Sequence, residues 1–134
     1  MTKFATRLRA AGMTLAIGAG ALAIAAPAHA QGGSAAVERS GGCSAGATWK
    51  LKAKHDNGRI ETEFEVDSNR VGQQWRVRIA DNGVLVFRGV RVTQAPSGSF
   101  TVARRLADRQ GIDHLRAIAR QPRTGQRCVG TVSL

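Results

Sequence analysis

The chain has 134 residues, a formal net charge of +11, two cysteines, three histidines and no tyrosine. That length leaves room for one domain, and the residue set allows a single disulfide while counting against a zinc site and a tyrosine-rich recognition surface. A strongly basic chain attracts polyanions, although a GC-rich genome also favours Arg, Ala and Gly.

Residues 1–30 read as a secretory signal peptide. Lys3, Arg7 and Arg9 form a positive start and Ala10 to Ala26 an uncharged run. Pro27 breaks the run, and Ala28-His29-Ala30 offers small residues before a cut at Gln31. A retained membrane anchor is the competing reading, weakened by the Gly and Ala in the run and by its short length. Arg7-Leu8-Arg9 is not a twin-arginine pair, and no cysteine stands at the cut to carry a lipid. Without the three cations of the leader, residues 31–134 keep +8, and fourteen of their seventeen cations are Arg. No membrane attachment is expected after cleavage.

Residues 31–42 are small, polar and glycine-rich and read as a flexible N-terminal arm, leaving 43–134 as the domain. From Cys43 onward apolar residues alternate with a step of two, and turn signals recur about every 8–12 residues, as in an all-β sandwich or barrel.

The first hairpin covers 47–67 and turns at Asn57-Gly58. Both central residues of a type I′ turn need positive φ, which makes this dipeptide a strong hairpin signal. Setting Asp56 opposite Arg59 places Ala53 against Thr62, Leu51 against Phe64 and Trp49 against Val66 on one face. Lys54 with Glu61, Lys52 with Glu63 and Lys50 with Glu65 fall on the other. A one-residue slip destroys both ladders. The Lys and Glu runs therefore read as a solvated sheet face.

The second hairpin begins at Gln73, with Trp75, Val77 and Ile79 pointing inward and Arg76 and Arg78 outward. A two-residue turn would set Arg88 against the inward Val77. A three-residue loop, Asp81-Asn82-Gly83, sets Ile79 against Leu85, Val77 against Phe87 and Arg88 against Arg76, and buries no arginine. Gly89 then marks a bulge that lets Val90 and Val92 reach the core. Ala95-Pro96-Ser97-Gly98 leads into a strand over 99–106 with Phe100 and Val102 inward, and 103–110 is ambiguous.

The last hairpin, 113–132, turns at Pro122-Arg123-Thr124-Gly125. Gln121 opposite Gln126 brings Ala119 to Cys128, Ala117 to Gly130 and Leu115 to Val132, all inward. Arg120 with Arg127, Ile118 with Val129 and Arg116 with Thr131 point outward. Export and the inward parity of Cys128 favour a Cys43–Cys128 disulfide over two free thiols. The whole predicts an all-β fold, an immunoglobulin or fibronectin type III-like sandwich of about seven antiparallel strands with one disulfide, preceded by the signal peptide.

The stretches ERSGGCSAGATWKLKAKHDNGRIE, VGQQWRVRIADNGV and QAPSGSFTV resemble a group of small secreted, uncharacterised proteins of high-GC Gram-positive bacteria, over most of the chain beyond the leader. The resemblance implies secretion and a sandwich fold and nothing catalytic. A weaker analogy, to small secreted sandwich apoproteins that sequester chromophores, is undercut by their two disulfides and acidic surface.

Little in the chain points to catalysis. His55 sits beside a turn and His114 faces outward. Asp113-His114 with a serine would be a triad in name, but strand neighbours point to opposite faces. The acids of 61–67 are matched by lysines, so no carboxylate pair stands out, and no phosphate loop or dinucleotide fingerprint occurs. Neither a metal nor a cofactor is expected, and an enzyme ranks behind the binding functions.

One asymmetry does point somewhere. The first hairpin carries Lys50, Lys52, Lys54 and Arg59 against Glu61, Glu63, Glu65 and Asp67. In a fibronectin-like arrangement the third, fourth, sixth and seventh strands form the other sheet. Its outer face would carry Arg76, Arg78, Arg88, Arg116, Arg120 and Arg127, with Ile118 and Val129 among them and no acid. The planar fork of Arg suits phosphate and carboxylate. The expectation is a secreted, extracellular or wall-associated monomer that binds, without catalysis, an anionic polymer (wall polymer, acidic polysaccharide, nucleic acid) or an acidic protein. A carrier or inhibitor that uses loops at one end of the sandwich is the alternative, and codon usage on a solvated face is the bland origin of the arginines.

Overall fold

A computed structural model describes residues 34–134; the expected signal peptide, 1–30, and the first residues of the expected arm lie outside the described residues. Asn57 and Gly58 take φ of 49° and 71°, the left-handed pair a two-residue turn needs between right-twisted strands. The turn joins β2 (Thr48–Asp56) to β3 (Arg59–Asp67), and the pairing has Leu51 opposite Phe64 and Lys52 opposite Glu63. The apolar ladder and the three Lys–Glu rungs follow in the expected register. β6 (Ser99–Ala107) adds to the far side of β3, placing Val102 beside Phe64 and Phe100 beside Val66.

The second sheet holds β4 (Gln74–Asp81), β5 (Val84–Val92), β7 (His114–Arg120) and β8 (Arg127–Ser133) in the order β5-β4-β7-β8. β7 and β8 pair as expected, with Ala119 opposite Cys128 and Leu115 opposite Val132. Leu51, Phe64 and Val66 from one sheet, and Trp75, Val77, Ile79 and Leu115 from the other, are almost wholly removed from water. Among the described residues the result is an all-β sandwich of two antiparallel four-stranded sheets, with a 3₁₀ turn at Ser44–Gly46.

The structure corrects the expected strand arrangement in two places. First, part of the arm is a strand. β1 (Val37–Gly42) pairs with β2, Val37 opposite Ala53 and Gly42 opposite Thr48, and makes the sheet order β1-β2-β3-β6. Among the described residues the strands therefore number eight. β1 is mostly exposed and lacks an apolar alternation, so its place comes from backbone pairing and from Gly41. A Cβ on Gly41 would stand 3.0 Å from the Trp49 indole, and one on Gly130 of β8 only 2.7 Å from it. Trp49 thus fits between two bare backbones and plugs this side of the sandwich. Cys43 and Cys128 are joined there, 85 residues apart in sequence, a loop whose closure is worth about 4–5 kcal/mol in the chain-entropy account.

Second, the β4–β5 hairpin has the two-residue turn, Asn82-Gly83 at φ of 46° and 82°. Asp81 pairs with Val84 and Ala80 with Leu85; then the register shifts, Ile79 pairs with Phe87, Val77 with Gly89 and Arg78 with Arg88. Val86 is the extra residue of a bulge, which returns Arg88 to the outer face opposite Arg78 rather than Arg76. Gly89 is not the bulge: it faces inward, and the Phe87 ring lies 2.8 Å from where its Cβ would be. Val90 and Val92 stay outside the core, 54% and 37% exposed, because β5 is an edge strand whose inner positions are taken by Phe87, Gly89 and Arg91. The Arg91 and Arg104 guanidinia stand 5.1 Å and 4.4 Å from the centre of the Phe87 ring, sealing the β5–β6 side by cation–π contact.

The register gives a direct expectation. Phe64→Ala removes a fully buried ring and should cost about 3–5 kcal/mol, whereas Glu63→Ala on the exposed rung should cost less than about 1 kcal/mol. Urea unfolding of the two variants measures the difference.

Candidate functional site

The β5-β4-β7-β8 pairing sorts the outward side chains into rungs. One rung runs Val90, Arg76, Arg120, Arg127 across the four strands. The next runs Arg88, Arg78, Ile118, Val129, and the third Leu85, Ala80, Arg116, Thr131. Strands lie about 4.7–4.9 Å apart, so Arg76, Arg120 and Arg127 stand as immediate neighbours. All six expected arginines fall on this one face and are exposed.

Like charges directly across a strand pair repel, and nothing on this face cancels them. Among the described residues no carboxylate forms an ion pair with any of the six guanidinia. The other sheet differs. Lys50 pairs with Glu65 at 3.5 Å and Lys54 with Glu61 at 2.9 Å, while Arg105 reaches Asp56 at 2.8 Å and Glu61 at 3.7 Å. The lysine and hydrogen bond of Lys54 hold the Glu61 carboxyl below its usual range, and Glu61 in turn raises Lys54.

Two grooves lie along the arginine face. A groove of 470 Å³ at one end is lined by Arg76, Val90 and Gln74, and by Arg123 and Thr124 of the β7–β8 turn. Arg123 was missed in the sequence because a turn residue has no strand parity to place it. A larger groove, 920 Å³, spans the other end between Arg78, Leu85, Arg116 and Ser133.

His114 and Ser133 meet at the rim of that groove, the ring Nδ1 2.8 Å from the hydroxyl. Asp113 does not complete a triad: its side chain is turned into the protein. His55 Nδ1 lies 3.0 Å from Asp108 Oδ2, away from the arginine sheet. Among the described residues no three His, Cys, Asp or Glu side chains are grouped to hold a metal ion.

A carboxylate pair does exist, contrary to the sequence reading. Asp81 ends β4, Asp113 precedes β7, and both are fully buried with all four oxygens lacking a hydrogen-bond donor. Arg109 Nε, 3.5 Å from Asp81 Oδ2, is the near cation. Burial first, and then the charge of the neighbouring Asp113, push the Asp81 carboxyl above its usual range. The two acids are 32 residues apart in sequence and meet because β4 and β7 are neighbours, which no local motif signals.

No protein-family model, curated protein or solved structure matches this chain.

The raised Asp81 carboxyl has a pH consequence with a definite sign. The folded state binds this proton more tightly than the unfolded chain, so its contribution favours folding below the ordinary carboxylate range and is lost as pH rises through the raised value. Asp81→Asn removes that loss. Its stability relative to the parent should therefore increase between about pH 4 and pH 7, about the usual carboxylate value upward. Denaturation midpoints of both proteins across that range measure it; a flat difference would contradict the assignment.

Proposed function

We propose that this protein is a secreted, non-catalytic binding module whose arginine sheet face engages an anionic polymer: wall polymer, acidic polysaccharide or nucleic acid. One observation carries the reading. Six exposed guanidinia occupy neighbouring positions of a single face with no carboxylate partner among the described residues, while on the opposite face Lys50, Lys54 and Arg105 are each ion-paired. Arg39, Arg59, Arg104 and Arg105 stand on the other sheet as well, so what codon usage does not account for is the lack of acids among the six. Arginine forks take phosphate and carboxylate oxygens in pairs, and a row of them presents a track to a repeating anion. The Cys43–Cys128 bond is compatible with an oxidising compartment. The order β5-β4-β7-β8 facing β2-β3-β6 supports a fibronectin type III-like reading of the sandwich, with β1 as an added edge strand. That architecture carries no function of its own.

Retention on immobilised heparin should fall steeply with salt, as counterion release requires. Reversing Arg116 and Arg120 to Glu should abolish most of it, while reversing Lys50 and Lys52, an equal change in net charge, should leave most of it. Elution salt concentrations read the contrast. Equal losses would reduce the effect to net charge, and no retention of the parent at low salt would remove the proposal.

A further inference from the structure

The arginine face is not uniform along its strands. At one end Arg76, Arg120 and Arg127 stand side by side. At the other, Arg78 lies beside Ile118 and Ala80 beside Arg116. These four side chains form a square, with the arginines on one diagonal and the apolar residues on the other. Cross-strand diagonals span about 7–8 Å, short enough for two long guanidinium stems to converge on one headgroup.

The 920 Å³ groove opens over this square and extends to Leu85, which is 43% exposed. Its volume is that of a small-molecule site. The hollow has a local origin: Ala80 is small, and the bulge at Val86 bends β5 beside it. At the rim, His114 and Ser133 bind one another and Asn82 is bonded to the backbone of Ile112 and His114, so beside the Thr131 hydroxyl the groove presents two cations and an apolar floor.

A bare polyanion gains nothing from that floor, and a neutral hydrophobe gains nothing from the guanidinia. A concave groove also fits one molecule better than the plane of a bilayer. Resting on the reading of this face as anion-binding, we propose that the groove holds a single-chain amphiphile. Its carboxylate head lies between Arg78 and Arg116, and its apolar chain leaves the square on one side, over Ala80 and Leu85.

Calorimetric titration with dodecanoate below its micelle concentration tests this, run beside heparin retention. The expected result is saturable one-to-one binding that butyrate and neutral decyl glucoside do not reproduce. Arg78→Gln and Leu85→Ser should each weaken dodecanoate by about tenfold, whereas Ile118→Ser, across the head from Leu85, should change it little, with thermal midpoints confirming folding. Heparin retention should drop in Arg78→Gln and hold in Leu85→Ser. Heparin retention without dodecanoate binding overturns this proposal and leaves the polyanion reading intact; loss of both overturns both. Equal binding of decyl glucoside, or binding to phosphatidylglycerol vesicles but not to monomeric dodecanoate, overturns the amphiphile site.

Discussion

Strand register is the constraint on which this protein depends. Side chains alternate between faces with a period of two, so one pairing decides what is core and what is surface. The Asn57-Gly58 turn sets that pairing for β2 and β3, and the same register that buries Leu51 against Phe64 aligns Lys52 with Glu63. On the other sheet, the register that buries Val77 and Ala119 brings Arg76 against Arg120. Fold and surface charge are therefore one result: the core cannot be kept while the arginines are moved to another face.

The sandwich is closed at its two open sides by different means. At β1 and β8 the closure is covalent and steric, with Cys43 bonded to Cys128 and Trp49 seated between Gly41 and Gly130. At β5 and β6 it is a phenyl ring between two guanidinia. The inward charge of Arg91 and the bulge at Val86 also blunt β5 as an edge, since both discourage pairing with a further strand. What β5 offers a partner is its outer face, continuous with the arginine rungs.

Much of this was legible in the sequence where turn chemistry and alternation agree. The β2–β3 and β7–β8 hairpins carry both signals, and every pair in them follows from the turn. The arginine face was legible for the same reason, because it is the complement of the core positions. β1 was not, since Glu38, Arg39 and Ser40 show no apolar step and the strand is held by backbone bonds and by Trp49 over Gly41. The bulge at Val86 was hidden because Arg88 can be kept out of the core in two ways, and the sequence does not rank them. Asp81 and Asp113 were hidden because their contact is made by neighbouring strands rather than by spacing. Exposed like-charge rungs cost only about 0.2–1 kcal/mol per cross-strand pair. The surface can thus carry the charge without endangering the fold.

The central claim is that one sheet face, and not the overall charge, meets the anion. Arginine-selective chemical footprinting read by mass spectrometry, with and without saturating heparin, addresses it most directly. The account predicts protection of Arg76, Arg78, Arg88, Arg116, Arg120 and Arg127, with Arg39 and Arg59 of the other sheet still reactive. Uniform protection of all arginines, or protection centred on Arg39 and Arg59, would contradict it.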